Sequence, residues 1–240
     1  MFKFILLILS SFFLLNATTI EGTVSYGGNS KTPKVVKMDS DPICGAAHSV
    51  PPTKQDFILN ENKFKNVIVW LKDIKYDGEL SNKPATIDQI GCRYTPHVNA
   101  VTVGQKVLIT NSDATLHNVN SKSKINDTFN SAQPAGVPAI KKEFTKPEEP
   151  FYIKCDVHPW MKAWMMVSDH PYFAVTDENG YYKIDNVPAG NYEIIFWQEK
   201  LSNLPAKKFN LPSNTLEITV DEEGITTTDF TFDSPANYKK

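Results

Sequence analysis

The sequence predicts an all-β protein. Apolar and polar residues alternate in short runs, as in Ile20-Glu21-Gly22-Thr23-Val24. Glycine, proline and Asn/Asp turns separate those runs. No long stretch carries the period of 3.6 that an amphipathic helix needs.

The elements follow in order. Residues 19–26 form a first strand, closed by Gly27-Gly28. Residues 29–65 lack a period, are rich in Pro, Lys and Asp, and contain Cys44. Residues 66–72, Asn-Val-Ile-Val-Trp-Leu-Lys, are a strong strand, and 78–84 are loop. Strands are expected at 85–90, 98–103 and 106–110, with a turn at Gly104-Gln105. Residues 121–138 are polar and turn-rich. Strands at 139–144 and 150–154 flank Lys146-Pro147, and another at 163–168 closes the block. From Tyr172 onward, strands at 173–176 and 181–184 join through Asp177-Glu178-Asn179-Gly180. A turn at Val187-Pro188-Ala189-Gly190 leads to a strand at 192–197, and strands at 216–220 and 226–232 finish the chain.

Residues 1–17 read as a cleaved signal peptide. Lys3 precedes an apolar run over 4–15, broken only by Ser10 and Ser11, and Leu15-Asn16-Ala17 fits a cleavage site. The run falls short of the roughly 20 residues of a membrane-spanning helix. No later stretch is long and apolar enough to span. A periplasmic or secreted protein, cut near Ala17, is the expectation. The formal charge is −2, and losing Lys3 makes it −3. That near balance suggests no nucleic-acid or polybasic membrane role. The remaining length suits one large or two small domains.

The chemistry concentrates in Cys155-Asp156-Val157-His158-Pro159-Trp160-Met161. A thiolate, an imidazole and a thioether are soft donors that select copper. One short loop cannot surround an ion, so a second histidine must come from another strand end. His117, in Asn111-Ser112-Asp113-Ala114-Thr115-Leu116-His117-Asn118-Val119, supplies it. Two histidines, a cysteine and a weak axial methionine make the type 1, or blue, copper set used for single-electron transfer. Asn118 is assigned to the surrounding shell, tying the His117 loop to the Cys155 loop. Pro159 holds His158 in extended backbone. Taken singly, Cys155 could be a buried hydrophobe, and Met161, Met165 and Met166 plain core. The chain has three cysteines. If Cys155 binds metal, Cys44 and Cys92 remain, either as a disulfide in an oxidising compartment or as two free buried thiols.

These residues resemble the cupredoxins, and among them the amicyanin and plastocyanin-like branch. The ligand loop is similar to that of amicyanin. The upstream pattern runs through Val101, Gly104, Val107, Asn111, Asp113, His117, Asn118 and Val119, with Pro96 before it. The resemblance covers 84–168 and implies a Greek-key β-barrel holding one copper on His117, Cys155, His158 and Met161. It implies an electron carrier rather than an enzyme, with a redox protein partner such as a cytochrome or dehydrogenase. Ala163 and Trp164 replace the small glycines often found after the axial methionine, and 120–138 looks loose; both bear on the docking face.

Residues 172–232 resemble a second family, the carboxypeptidase regulatory-like (prealbumin-like) β-sandwich. Val175-Thr176-Asp177, Gly180, Tyr182, Ile184, Val187-Pro188, Gly190 and Tyr192 carry that likeness. Ile20-Glu21-Gly22-Thr23-Val24 and Val67-Ile68-Val69 supply its early strands. The implied organisation is a discontinuous sandwich, 18–83 and 169–235, with the cupredoxin at 84–168 inserted. A tandem, with 18–168 as one cupredoxin, is the alternative. Some relatives of the sandwich bind carbohydrate, so a glycan is a possible ligand. Copper storage or delivery, and an interaction or carbohydrate-binding module with structural copper, are the other functional readings. His97 is expected to be structural or exposed. His48 would form a second metal site with His97 only if Cys44 and Cys92 meet. His170 is expected to pack at the boundary, and Trp160 either lies exposed beside the ion or covers it.

Overall fold

The computed structural model describes residues 18–30, 32–205, 208 and 212–238. The expected leader, 1–17, lies outside the described residues. The chain is all-β, in four sheets. In the first, one edge of Thr18–Tyr26 pairs with Tyr181–Val187 and then with the small hairpin Leu59–Asn60/Lys63–Phe64. Ile225–Thr227 and Phe230–Phe232 run parallel to it. The second sheet orders Phe173–Val175, Ile68–Leu71, Gly190–Trp197 and Thr215–Val220, all antiparallel. Strands from both ends of the chain thus pair with each other. The third sheet orders Asn130–Gln133, His117–Ser121, Glu148–Lys154, Lys162–Ser168 and Val98–Thr102. The fourth orders Ile140–Glu143, Lys106–Asn111, Ala85–Gln89 and Tyr94–Thr95.

Three apolar clusters show how the sheets stack. Ile20, Val24, Phe64, Val69, Tyr182 and Phe196 fill the space between the first and second sheets. Ile87, Val107, Ile109, Val119, Ile153 and Met165 fill that between the third and fourth. Ile68, Val98, Trp164, Met166 and Trp197 join the second sheet to the third. Successive side chains of a strand point to opposite faces. In Lys162–Ser168, Ala163, Met165 and Val167 therefore enter one cluster while Trp164 and Met166 enter another. Val67, Val69 and Leu71 likewise face the sandwich core while Ile68 and Trp70 face the junction. A strand covered on both faces is apolar at both parities. That accounts for the unbroken runs Val67-Ile68-Val69-Trp70-Leu71 and Ala163-Trp164-Met165-Met166-Val167.

Residues 29–65, aperiodic in sequence, fold into specific pieces. A short helix, Pro42–Ala46, starts at Asp41, whose Oδ1 accepts from the backbone N–H of Ile43 at 2.8 Å and Cys44 at 3.3 Å. Val35 bridges to Thr53. Met38 and Cys44 from this segment pack into the core of the third and fourth sheets. The polar region 121–138 also contains a strand, Asn130–Gln133, whose single buried residue is Gln133. The strand expected over 226–232 is two, Ile225–Thr227 and Phe230–Phe232. The break falls where Thr228 crosses Gly22. Its carbonyl takes the space a Cβ on Gly22 would need. It also accepts the Tyr182 hydroxyl at 2.6 Å.

One charged cluster is buried at the junction of the second and third sheets. Glu199 accepts from His97 Nε2 at 2.7 Å and from Lys162 Nζ at 3.2 Å. Lys162 lies over the rings of Tyr152 and Trp164. Burial pushes the Glu199 carboxyl up, but the His97 hydrogen bond and nearby charge override it, leaving a pKa of about 2 against an ordinary 4.5. A carboxyl depressed by folding adds stability above its unfolded pKa and loses it as pH falls towards the folded value. The contribution is about 3 kcal/mol at neutral pH. It should fade below pH 4.5 and be gone near pH 2. Glu199→Gln should lower stability at neutral pH and flatten its acid dependence; urea unfolding at neutral pH and at pH 3 measures both.

Candidate metal centre

The chain places His117 at the start of His117–Ser121 and Cys155 just past the end of Glu148–Lys154. These strands are neighbours in the third sheet, so their ends meet. The loop 155–161 returns on itself. The Cys155 N–H donates to the Met161 carbonyl at 3.1 Å, and the Met161 N–H donates to the His158 carbonyl at 2.9 Å. That closed neck brings His158 inward and sets Met161 in the same buried cluster as Cys155. His117, Cys155, His158 and Met161 are all at most 2% exposed.

Donor atoms of His117, Cys155 and His158 lie within 4.8 Å of one another. The two Nδ1 atoms face each other at 2.9 Å, and Cys155 Sγ is 3.8 Å from His158 Nδ1. Each outer nitrogen meets a carboxylate: His117 Nε2 with Asp113 Oδ2 at 2.9 Å, His158 Nε2 with Asp41 Oδ2 at 3.0 Å. A carboxylate accepts only, so both Nε2 atoms carry hydrogen. In neutral rings both Nδ1 atoms then present lone pairs to each other across a short gap, with a sulfur beside them. Only a cation resolves that arrangement: a proton, or a metal ion.

The electrostatics agree. Burial pulls His117 down, but hydrogen bonds to Asp113 and Cys155 raise it to about 9. Burial pushes the Cys155 thiol up, and the hydrogen bond to His117 with those at Asn118, His158 and Val157 brings it below its usual value. Burial raises Asp41, yet His158, Thr115 and the helix N–H groups of Cys44 and Ile43 take it down to about 2. Asp113 is lowered despite burial, by His117 and the N–H groups of Cys92 and Gly91. The set therefore favours thiolate, carboxylates and a positive charge between the rings.

Asn118 sits at the join of the two loops. Its Oδ1 accepts from the N–H of Asp156 at 2.7 Å and of Val157 at 3.3 Å, and lies 3.3 Å from Cys155 Sγ. Its Nδ2 donates to Asn130 Oδ1 at 2.6 Å. Trp160 covers the site: its ring is 5.1 Å from that of His158, and Nε1 donates to the Cys92 carbonyl at 3.1 Å. Cys44 and Cys92 form a disulfide, leaving Cys155 free. His48 and His97 do not come together. His48 Nε2 engages the Gly91 carbonyl, and His97 is buried against Glu199. His170 is buried at the junction, its Nδ1 accepting from the Tyr172 N–H.

Sequence reasoning missed two participants, Asp41 and Asp113. Asp113 stood in the quoted pattern without a role. Asp41 lay in the aperiodic segment, although Asp41-Pro42 is a helix-start signal: an N-cap acceptor followed by proline in the first turn.

No protein-family model matches the chain, and no curated protein matches it. Solved structures similar to part of it include cupredoxins and a copper-containing nitrite reductase. A copper-containing nitrite reductase from Thermus scotoductus is 22% identical over 40% of this chain and 25% of that one, with a TM-score of 0.34. The chain thus spans about a quarter of the reductase's length. A purple cupredoxin from Nitrosopumilus maritimus is 26% identical over 35% of this chain and 99% of that one, TM-score 0.31. Amicyanin from Paracoccus versutus is 18% identical over 42% and 97%, TM-score 0.32. No helix among the described residues is long and apolar enough to cross a membrane.

Asn118→Ala removes an acceptor shared by two part-buried loop N–H groups. Each such hydrogen bond contributes about 0.5–1.5 kcal/mol net. The variant, without added metal, should lose about 1–3 kcal/mol in a urea titration.

Proposed function

We propose that this protein is an exported single-copper electron carrier. The observation behind this reading is the pair of imidazole Nδ1 atoms facing each other at 2.9 Å beside Cys155, with both outer nitrogens taken by carboxylates. Copper bound there would supply one-electron chemistry by alternating between its two oxidation states. Cys155 would give the thiolate, His117 and His158 neutral imidazoles, and Met161 a weak thioether donor, a combination suited to that metal. Asp113 and Asp41 would fix each ring in the tautomer that leaves Nδ1 free, and strengthen it as a donor. Asn118 would hold the Cys155 loop in register with His117. A site whose donors are already in place needs little rearrangement when the charge changes.

The protein would act without transforming a substrate, passing electrons to and from a redox protein partner such as a cytochrome or dehydrogenase. We assign residues 84–168 to the copper-binding unit and 18–83 with 169–235 to the sandwich around it, as the strand pairing across the two chain ends supports. Burial of every donor favours a carrier of electrons over one that delivers ions, since an acceptor must reach an ion to remove it.

Purified protein given Cu(II) should turn intensely blue and bleach with ascorbate; a colourless product would overturn the reading. Cys155→Ser should abolish the colour. Met161→Leu should keep it and raise the reduction potential, as loss of a thioether donor would destabilise the more charged state.

A further inference from the structure

We propose that the Cys44–Cys92 disulfide controls the geometry of the metal centre, acting through Asp41 and Asp113 as positioning residues. The inference rests on the copper reading above and extends it to a control by thiol redox state.

Each half of the bridge hangs on the carboxylate that holds one of the two site histidines. Asp41 accepts the Cys44 N–H at 3.3 Å through Oδ1, and its Oδ2 meets His158 Nε2 at 3.0 Å. Asp113 accepts the Cys92 N–H at 2.8 Å through Oδ2, the same atom that meets His117 Nε2 at 2.9 Å. Asp113 also takes the Gly91 N–H at 2.7 Å. The contacts therefore close a ring: His158, Asp41, Cys44, Cys92, Asp113, His117, and back to His158 through the facing Nδ1 atoms. The only covalent link joining the two halves of that ring across chain positions is the S–S bond. Cys44 Sγ itself lies 3.7 Å from His158 Nε2.

The two arms differ in stiffness. Gly91 and Cys92 both have positive φ, +60° and +54°. That conformation is uncommon for a side chain such as cysteine and is kept when surroundings fix it. Here Asp113 fixes it with two hydrogen bonds. The Cys44 arm rests on a five-residue helix and on Thr115, whose hydroxyl donates to Asp41 Oδ2 at 2.9 Å. Breaking the bridge frees this arm first. Asp41 then moves away from His158, and the ring loses its clamp.

The redox step balances with a phosphine reductant and water: the S–S bond breaks, two thiols form with two protons, and the phosphine leaves as its oxide. In a cell a dithiol would serve, becoming a disulfide itself.

The experiment has two arms. In copper-free protein, side-chain nitrogen resonances of His117 and His158 are followed while a trialkylphosphine reduces the bridge. Both should move and His170 should not; unchanged His117 and His158 signals would overturn the proposal whether or not the protein binds copper. In copper-loaded protein, Cys44→Ser/Cys92→Ser should change the paramagnetic-resonance splitting and release copper to a Cu(I) chelator at least tenfold faster than the parent. Asp41→Asn, with the bridge intact, should shift the splitting in the same direction by a smaller amount, and it decides the question if the double variant fails to fold. A folded double variant, or an Asp41→Asn variant, with the parent's splitting and release rate would overturn the proposal. A parent that binds no copper would instead refute the function proposed above, leaving the nitrogen-resonance arm to judge the bridge.

Discussion

The short contact between the Nδ1 atoms of His117 and His158 sets the demands that the rest of the site answers. Two imidazoles, a thiol and two carboxylates share one end of a β-barrel, the imidazoles and thiol closed off from water and the carboxylates partly exposed. Burying charge is costly unless it is paired. With both carboxylates ionised and the thiol tending to thiolate, the cluster needs positive charge at its middle. Without metal, a proton on His117 answers, which is why that ring is held to about 9 although burial alone would lower it. A metal ion bound by the same atoms would meet the same need with more charge and a third donor engaged. Asp41, Asp113 and Asn118 follow from it: each fixes a donor whose orientation would otherwise be free.

Stacking provides the support. The strand Lys162–Ser168 follows the 155–161 loop and carries side chains into two clusters at once. Its parallel partner Val98–Thr102 does the same. A strand gripped on both faces has little freedom to slide, since a shift of one residue would exchange every side chain between cores. The neck of the 155–161 loop is thus anchored on a strand packed on both faces. Glu199 adds a directional element to the same junction, taking Lys162 from this strand and His97 from the turn before Val98.

Much of this was legible in the sequence, for reasons that residues make plain. Turn chemistry marks the hairpin at Asp177 to Gly180, because Asp177 accepts local N–H groups and Gly180 supplies a positive φ. The loop from Cys155 to Met161 is local, so spacing alone brings its residues together. The hydrogen bonds that tie Asn118 to the Cys155 loop were legible from its place beside His117. Asp41 was not, because its meaning depends on His158, 117 positions away. Gln133 looked like loop because its strand is polar, yet Gln89 donates to its Oε1 at 2.7 Å inside the barrel. Polar residues that satisfy one another in a core leave no hydrophobic period to find. The break between Ile225–Thr227 and Phe230–Phe232 escaped for a similar reason: a close approach to Gly22, more than 200 positions distant, causes it.

The segment between the first sandwich strand and Ile68–Leu71 bears on whether the two units are separate machines. In sequence it belongs with the sandwich. In space Met38 and Cys44 complete the barrel core, and Asp41 completes the site. A barrel cut out as 84–168 would lack the helix that holds His158, half of the disulfide, and the cover over Ile68's partners Val98, Trp164 and Met166. An exposed apolar face of that kind invites association or repacking. The sandwich is therefore more than a neighbour to the histidine–cysteine cluster. It carries the segment whose Asp41 holds His158, and its second sheet shields the strand that follows the 155–161 loop.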